Sequence, residues 1–384
     1  MPTASSAMTP PKLPIDVLHL IFVVALDASG TDEEHNELGK HISLVSTTFR
    51  DQGQATVWQE IRIGEGHSSS YSSADKIAGV LSSPRLAGHV RKLSWERCLP
   101  PQERGADRTF WDAEREAEKE CWARLLASSC RFTEITVAAE DGSQLVAAMD
   151  VVRRSSSLST LRTLAMWTLR PISLADETSM SSPLPSFSAL RSVSATFAVS
   201  GDAPVAQHGP TRPPSQLLRL ESVALPSPAP FPAPLLLFGL LDSQHLHDVS
   251  LHFDDKDTLQ LEWLSSRNFP SLSQLCIFTS LPPRSAFPPI AECLSALGTL
   301  QQLFIHEDWQ DPSSADLQGL RVLFAHLPRS LVTLDVGYIV TDEDLSTEFH
   351  LPAERPPKLC HIGKSGAFLA PPRHILLISA PSLF

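Results

Sequence analysis

The stretch LGTLQQLFI, residues 297–305, carries the pattern that decides the fold of this chain. Its first, fourth, seventh and ninth residues are leucine or isoleucine, and the end of the stretch alternates as a half-buried β-strand requires. The pattern recurs in four further good copies and two weaker ones. The good copies are LSTLRTLAM (158–166), FSALRSVSA (187–195), LLRLESVAL (217–225) and FPSLSQLCI (269–277), and the weaker ones are SQHLHDVSL (243–251) and PRSLVTLDV (328–336).

The copies recur at a near-constant interval. If the seventh residue of each copy is taken as its anchor, successive anchors are 26 to 31 residues apart. A strand that repeats at this interval predicts one structural unit per repeat, each stacked on its neighbours. The anchors are Leu164, Val193, Val223, Val249, Leu275, Leu303 and Leu334, and Leu93, Ile135 and Ile362 fit the same role less well.

The period and the Leu-x-x-Leu-x-x-Leu-x-Leu pattern resemble those of leucine-rich repeats. The resemblance implies an α/β fold, a curved solenoid in which each unit adds one strand to a parallel sheet and returns through a helix or an irregular segment. Helical returns are predicted at 142–154, 257–266, 291–297 and 313–327, whereas the proline-rich returns 171–185, 204–214 and 226–234 are expected not to form regular helices. With only two asparagines in the chain, Asn36 and Asn268, no asparagine ladder can bind the turns, so apolar stacking and irregular capping are expected instead.

Two more helices are predicted before the first good copy, at 74–82 and 107–130. The second is the longer, and its apolar side is predicted to contain Phe110, Ala113, Ala117, Cys121 and Leu125. The charged run DAEREAEKE within it, residues 112–120, is interpreted as a solvated face with ion pairs one turn apart.

A different pattern precedes the repeats. It opens as LPIDVLHLIF, residues 13–22, where Pro14 and Asp16 suit the first turn of a helix. Residues 17–26 are apolar except for His19, so this helix needs cover on more than one side. An acidic insert, residues 27–40, leads into HISLVSTTFR, residues 41–50, and Leu38, Ile42, Val45 and Phe49 would share one helical face. A binding partner is the simplest source of the missing cover.

These N-terminal residues resemble the F-box: Leu-Pro-x-Asp-Val-Leu-x-x-Ile-Phe, then Ser-Leu-Val-Ser-x-x-Phe-Arg, then Trp58. The resemblance covers residues 13–58, and the insert 27–40 is longer and more acidic than the family pattern. It implies docking to the Skp-type linker subunit of cullin-based ubiquitin ligases. The positions carried over are Leu13, Pro14, Val17, Leu18, Ile21, Phe22, Leu44, Val45, Phe49 and Trp58. The alternative is a plain three-helix cap on a larger domain.

Strand alternation predicts which residues face away from the core. If the anchor and the second residue after it point inward, the first and third residues after it point outward. This places Trp167, Phe278 and Phe304 outward, where exposure of each ring costs about 1.5–3 kcal/mol. With His252 and His306 they are the predicted substrate contacts. The alternative is that another segment covers them, or that the register is wrong by one residue.

Composition narrows the class of partner and compartment. The formal net charge is −12, from 31 basic and 43 acidic side chains, so no nucleic-acid partner is expected. The six cysteines have no Cys-x-x-Cys spacing and are interpreted as reduced thiols. The first residues lack a basic region followed by an apolar core, and other apolar runs are far shorter than the roughly 18–20 residues of a membrane span. A cytoplasmic or nuclear protein without a membrane partner is expected.

No catalytic motif is found in the sequence. Residues 363–365 read GKS, but the first glycine of a phosphate-binding loop is replaced by Lys358. His245, His247 and His252 lie near three aspartates but have no distant cysteine or glutamate pair to complete a metal site. Neither a Gly-x-Ser-x-Gly elbow nor a His-Glu-x-x-His pair occurs. We therefore expect no catalytic residue, no metal and no cofactor.

Together these patterns predict three segments. Residues 11–63 form an F-box-like helical domain, 64–88 a linker with a connecting helix, and 89–384 a degenerate leucine-rich-repeat-like solenoid. The expected function is that of a non-catalytic adaptor that docks the linker subunit through the helices and a protein substrate through the repeats. The alternative is a scaffold whose N-terminal helices only cap the solenoid.

Overall fold

The computed structural model describes residues 17, 21, 24–25, 37–41, 47–64, 74–96, 108–168, 170, 172–181, 183–196, 199–200, 217–225, 240–253, 261, 264, 269–279, 281, 283–307, 317–336, 358 and 361–363. Within these residues the protein is mixed α/β. The strands are β1 Glu60–Ile63, β2 Lys92–Glu96, β3 Glu134–Ala139, β4 Thr163–Thr168, β5 Ile172–Ser173, β6 Ser192–Thr196, β7 Val199–Ser200, β8 Ser222–Leu225, β9 Asp248–Phe253, β10 Gln274–Thr279, β11 Gln302–Glu307, β12 Thr333–Val336 and β13 His361–Gly363. The α-helices are Thr47–Trp58, Ala74–Ser82, Pro84–Ala87, Arg108–Ala127, Gly142–Arg153, Leu174–Ser181, Pro283–Leu294 and Leu317–Ala325, and the 3₁₀ turns are Ser156–Ser159 and Leu184–Ser186.

Eleven strands form one sheet whose spatial order follows the chain: β1, β2, β3, β4, β6, β8, β9, β10, β11, β12 and β13. Every neighbouring pair in this sheet is parallel. The short strands β5 and β7 pair with each other outside it. Since parallel neighbours need a crossover connection, each unit consists of one strand and one return, and the sheet grows by one strand per unit.

The predicted anchors are neighbours across the sheet. Leu275 pairs with Val249 on one side and with Leu303 on the other, and Leu334 pairs with Ile362 at the far end. The same alignment runs through Leu93, Ile135, Leu164, Val193 and Val223. The predicted register is therefore confirmed, including the three weaker anchors. Ile61 pairs with Leu93, so the sheet begins inside the segment 11–63.

One face of the sheet forms the core. All anchors from Leu93 to Leu334 are 0 % exposed, and the residues two positions after them are at most 7 % exposed. The leucines three positions before the anchors, such as Leu272 and Leu300, are equally buried. These three positions of every unit join one continuous hydrophobic cluster with the buried faces of the helices. Apolar stacking between units is thus the main source of stability, as the pattern predicted.

Backbone and hydroxyl hydrogen bonds connect successive units before their strands begin. The carbonyl of Gln301 accepts hydrogen bonds from the backbone N–H groups of Val332 and Thr333, and equivalent pairs recur back to Gln59. The Thr299 hydroxyl lies 3.0 and 2.9 Å from two carbonyl oxygens of the preceding unit. Buried Ser157 accepts from the Phe132 N–H at 3.2 Å and donates to the Cys130 carbonyl at 3.4 Å. Serine and threonine hydroxyls therefore bind turn backbones in a chain that lacks an asparagine ladder.

Several helices lie where the sequence predicted them, and two returns between strands differ from the prediction. The helices Ala74–Ser82 and Gly142–Arg153 lie where they were predicted. The expectation that 171–185 forms no helix was wrong, because Leu174–Ser181 lies between the prolines rather than across them. The predicted helix 291–297 instead spans Pro283–Leu294 and includes Pro288 and Pro289. Of the predicted helix 257–266, only residues 261 and 264 are among those described.

The buried face of the helix Arg108–Ala127 overlaps the predicted one only in part. Leu125 is buried and Cys121 packs on the core as predicted, but Ala117 is exposed and Glu118 and Trp122 are buried as well. Glu118 accepts a 3.2 Å hydrogen bond from Nε1 of buried Trp95. The indole N–H needs an acceptor when it is buried, and this need places one glutamate of the charged run in the core.

Candidate functional site

The second face of the sheet carries the residues one position before and one and three positions after each anchor. Its central row is made mainly of short side chains from β2 to β9, namely Ser94, Thr136, Ala165, Ser194, Ala224 and Ser250. The row continues through Cys276 on β10 to Phe304 on β11, which is its first aromatic residue. The central row therefore has short side chains from β2 to β10 and an aromatic ring on β11.

Four of the five predicted substrate contacts come together on β9, β10 and β11. His252 pairs with Phe278, and Phe278 pairs with His306, so their side chains stand on adjacent strands. The Phe278 and His306 rings are stacked with centroids 5.1 Å apart, and the Phe304 and His306 centroids are 6.4 Å apart at an interplanar angle of 9°. All four side chains are half-buried. We call His252, Phe278, Phe304 and His306 the aromatic patch.

The fifth predicted contact, Trp167, is not part of this patch. It lies on β4, and β6 and β8 separate it from β9. Three strand spacings of about 4.8 Å put it roughly 14 Å from the patch. Its ring is half-buried, and its Nε1 is buried without a hydrogen-bond partner among the described residues. Trp167 is thus a separate feature of the same face.

Burial of one histidine of the aromatic patch favours its neutral form. Burial lowers the pKa of His306, and the neighbouring carboxylate of Asp335 only partly opposes this effect. Asp335 stands beside Phe304 on β12 and is 8 % exposed. A neutral imidazole stacked on phenyl rings can bind an apolar group while keeping one ring nitrogen as an acceptor.

The ionisable groups near the patch are poorly suited to nucleophilic chemistry. Burial, with the nearby charge of Asp248, raises the pKa of Cys276 to about 12, and burial raises the pKa of Cys293 to about 12. Such thiols stay protonated and unreactive. Burial also raises the pKa of Asp248, whose carboxylate accepts a long 3.4 Å hydrogen bond from Ser222. Across the part of the chain that the structure describes, no three metal-binding side chains cluster.

The N-terminal docking residues are described in part. Val17, Ile21 and Val24 have helical backbone and are 40 %, 50 % and 60 % exposed. Their spacing of four and three residues places them on one helical stripe. Val24 was not among the predicted contacts, although its spacing from Val17 and Ile21 indicates the same face. Leu13, Pro14, Leu18, Phe22, Leu44 and Val45 lie outside the described residues, as does the side chain of Phe49.

Trp58 lies against the sheet domain rather than on the exposed stripe. It is half-buried and packs on the core, and a Cβ added to Gly79 would lie 3.2 Å from its ring. The end of the acidic insert also packs inward, because a Cβ on buried Gly39 would lie 2.6 Å from the Val57 side chain. The helix Thr47–Trp58 is therefore attached to the first units on one side and to residues 37–41 on another.

No helix among the described residues is long and apolar enough to cross a membrane. Comparison with known proteins gives no match: no protein-family model matches the chain, and no curated protein is significantly similar to it.

Proposed function

We propose that this protein is a substrate-recognition adaptor of a cullin-type ubiquitin ligase. In this proposal residues 11–63 are an F-box that docks the Skp-type linker subunit, and residues 89–384 are a leucine-rich-repeat solenoid. The observation that carries the proposal is the exposed stripe of Val17, Ile21 and Val24. Three aliphatic side chains on one partly exposed helical stripe are suited to an interaction surface, and burying the exposed part of each would contribute about 1 kcal/mol.

The repeats would present the substrate through the aromatic patch. Aromatic rings clustered on one sheet face are the kind of anchor that supplies most of the affinity in protein interfaces. The adaptor would act without chemistry of its own, since holding a substrate near a reactive ubiquitin thioester raises its effective concentration. The protein would work in the cytoplasm or nucleus.

The alternative is a non-catalytic repeat scaffold whose N-terminal helices only cap the sheet. The packing of Trp58 against Gly79 favours this alternative, because it shows one side of the helix Thr47–Trp58 serving as cover for the sheet domain. A pure cap leaves Val17, Ile21 and Val24 without a role. The two functions differ in whether substitutions on that stripe change partner binding.

The test is co-expression of the full chain with a Skp-type linker subunit, followed by affinity purification. The variant is Val17→Glu with Ile21→Glu, and the matched control is Ala117→Glu with Ala147→Glu, two exposed helical positions elsewhere. The adaptor proposal expects the control to retain the linker subunit and the stripe variant to lose it, with unchanged melting for both. Equal recovery with both variants contradicts the docking role and leaves the cap. Leu13→Ala with Pro14→Ala provides a second, milder substitution within the segment that resembles the F-box.

A further inference from the structure

Five exposed arginines mark the amino ends of successive strands. They precede β2, β3, β4, β6 and β8, either two or four residues before the anchor of each unit. We call them the arginine rim: Arg91, Arg131, Arg162, Arg191 and Arg219. The rim lies at the amino edge of the sheet on β2 to β8, apart from the aromatic patch on β9 to β11.

Backbone hydrogen bonds fix the order of the rim. The Arg191 N–H donates to the carbonyl of Arg162 at 2.8 Å, and the Arg162 N–H donates to the carbonyl of Thr133 at 2.8 Å. The Thr133 N–H in turn donates to the carbonyl of Arg91 at 2.8 Å. Arg162 and Arg191 therefore start one strand spacing apart, about 4.8 Å. Like charges at this distance repel, so the unbound rim is electrostatically unfavourable.

The rim carries little compensating negative charge. Arg191 has an ion pair with Glu221 at 3.4 Å, and nearby Glu134 is already paired with Lys92 at 2.9 Å. Arg131, Arg162 and Arg219 have no ion-pair partner within the described ranges. This excess of positive charge stands on a chain with a formal net charge of −12.

Two of the rim guanidiniums also bind the backbone: Arg91 donates to the carbonyls of Gly88 and Val90, and Arg191 donates to the carbonyl of Leu190. Arg131, Arg162 and Arg219 make no such bond among the described residues.

Arg124 and Arg153 lie in the last turns of their helices, where a cation is favoured by the helix dipole. The rim arginines instead precede strands. Guanidinium groups bind carboxylates and phosphates through paired hydrogen bonds, so a row of them is suited to an anionic ligand.

We propose that the arginine rim binds an acidic or phosphorylated segment of a protein partner. From β2 to β8 the rim spans four strand spacings, about 19 Å, which matches roughly six residues of extended peptide. A nucleic acid is disfavoured because a longer polyanion would run beyond the rim onto the surface of a protein with a formal net charge of −12. The inference rests on the proposed function in that it names a substrate class for the adaptor.

The test measures fluorescence anisotropy of labelled peptides with the purified full chain. The probes are hexaglutamate, a hexapeptide of alternating phosphoserine and glycine, neutral hexaglutamine, and a single-stranded oligothymidine. The rim variant is Arg162→Glu with Arg191→Glu, and the control of equal charge is Lys119→Glu with Arg329→Glu, both exposed positions off the rim. The variant Arg162→Gln with Arg191→Gln removes the positive charge without adding a negative one, so it separates loss of the arginines from repulsion by glutamate. Melting curves show whether each variant is folded.

We expect at least one anionic peptide to bind, binding to weaken by about tenfold or more in both rim variants, and the control to bind like the parent chain. Binding of the phosphorylated peptide alone identifies a phosphorylated partner, and binding of both identifies an acidic one. Equal binding by rim and control variants, or equal binding of hexaglutamine, overturns the inference. Tighter binding of oligothymidine that depends on the rim also overturns it. No linker subunit is present in this assay, so it can fail independently of the docking proposal.

Discussion

Replacing Ser157 with alanine tests the hydroxyl bonds that connect neighbouring units. Ser157 is 1 % exposed, accepts a hydrogen bond from the Phe132 N–H and donates one to the Cys130 carbonyl. Alanine removes one oxygen atom and leaves the Phe132 N–H buried with no acceptor. A buried donor without a partner costs about 1–3 kcal/mol, and the lost bond to the carbonyl adds about 1 kcal/mol. We therefore expect the free energy of unfolding to fall by roughly 2–4 kcal/mol.

The matched control is Ser156→Ala at the adjacent residue. The Ser156 hydroxyl is exposed and makes a 3.4 Å bond to the Ser128 carbonyl, which water can replace. Its loss should cost about 0.5 kcal/mol or less. Urea unfolding, monitored by far-ultraviolet circular dichroism, measures the free energy of unfolding of both variants. The two values are comparable if the dependence of that free energy on urea concentration is the same. Amide exchange then localises the effect, because protection at Phe132 should fall only in Ser157→Ala.

The result that would refute the reasoning is a Ser157→Ala variant no less stable than Ser156→Ala. It would mean that the Phe132 N–H finds another acceptor and that hydroxyls do not connect the units. Equal losses in the two variants would lead to the same conclusion.

Three further predictions follow from the buried positions. Ile277→Ala should cost about 2–5 kcal/mol in urea unfolding, clearly more than Phe278→Ala on the other face, and the reverse order would contradict the register. Gly142→Ala should lower the melting temperature because a Cβ would lie 2.6 Å from an Asp176 oxygen, whereas Gly298→Ala, with open space around it, should not. The pKa of His306 is lowered on folding, so its contribution is complete above its ordinary pKa of 6.5 and is lost as pH falls below that value. A His306→Asn variant should lose less stability than the parent chain over this acidic range, and parallel pH profiles would disprove the shift.

The register of the sheet could be predicted because only one register buries the apolar residues of every strand on the core face. A shift by one residue would turn Leu275 and Ile277, which are fully buried, away from the core and would turn Gln274 inward. The same requirement repeats in every unit, so errors in one copy are corrected by the next. Spacing alone therefore placed even weak anchors such as Ile362.

Side-chain partners between units were not predictable from one segment at a time. Glu118 is buried because Trp95, on another element, needs an acceptor, and a charged run by itself indicates only a solvated face. The helix Leu174–Ser181 was missed because the prolines of this return were taken to disrupt the whole segment, although they lie only on either side of the helix. The arginine rim was missed for a related reason, since its members are dispersed along the chain and meet only through the strand order.

If the proposed adaptor function is correct, the continuous core sets the distance between its two docking regions. The aromatic patch on β9 to β11 begins six strand spacings from β1, which is about 29 Å. A single hydrophobic cluster includes Ile61 on β1 and Ile305 on β11, and Trp58 packs on it from the helix Thr47–Trp58. Proximity raises a reaction rate only when the span between docking points suits the reacting groups. A continuous sheet maintains such a span without a hinge, whereas a scaffold that merely collects partners has no need of it.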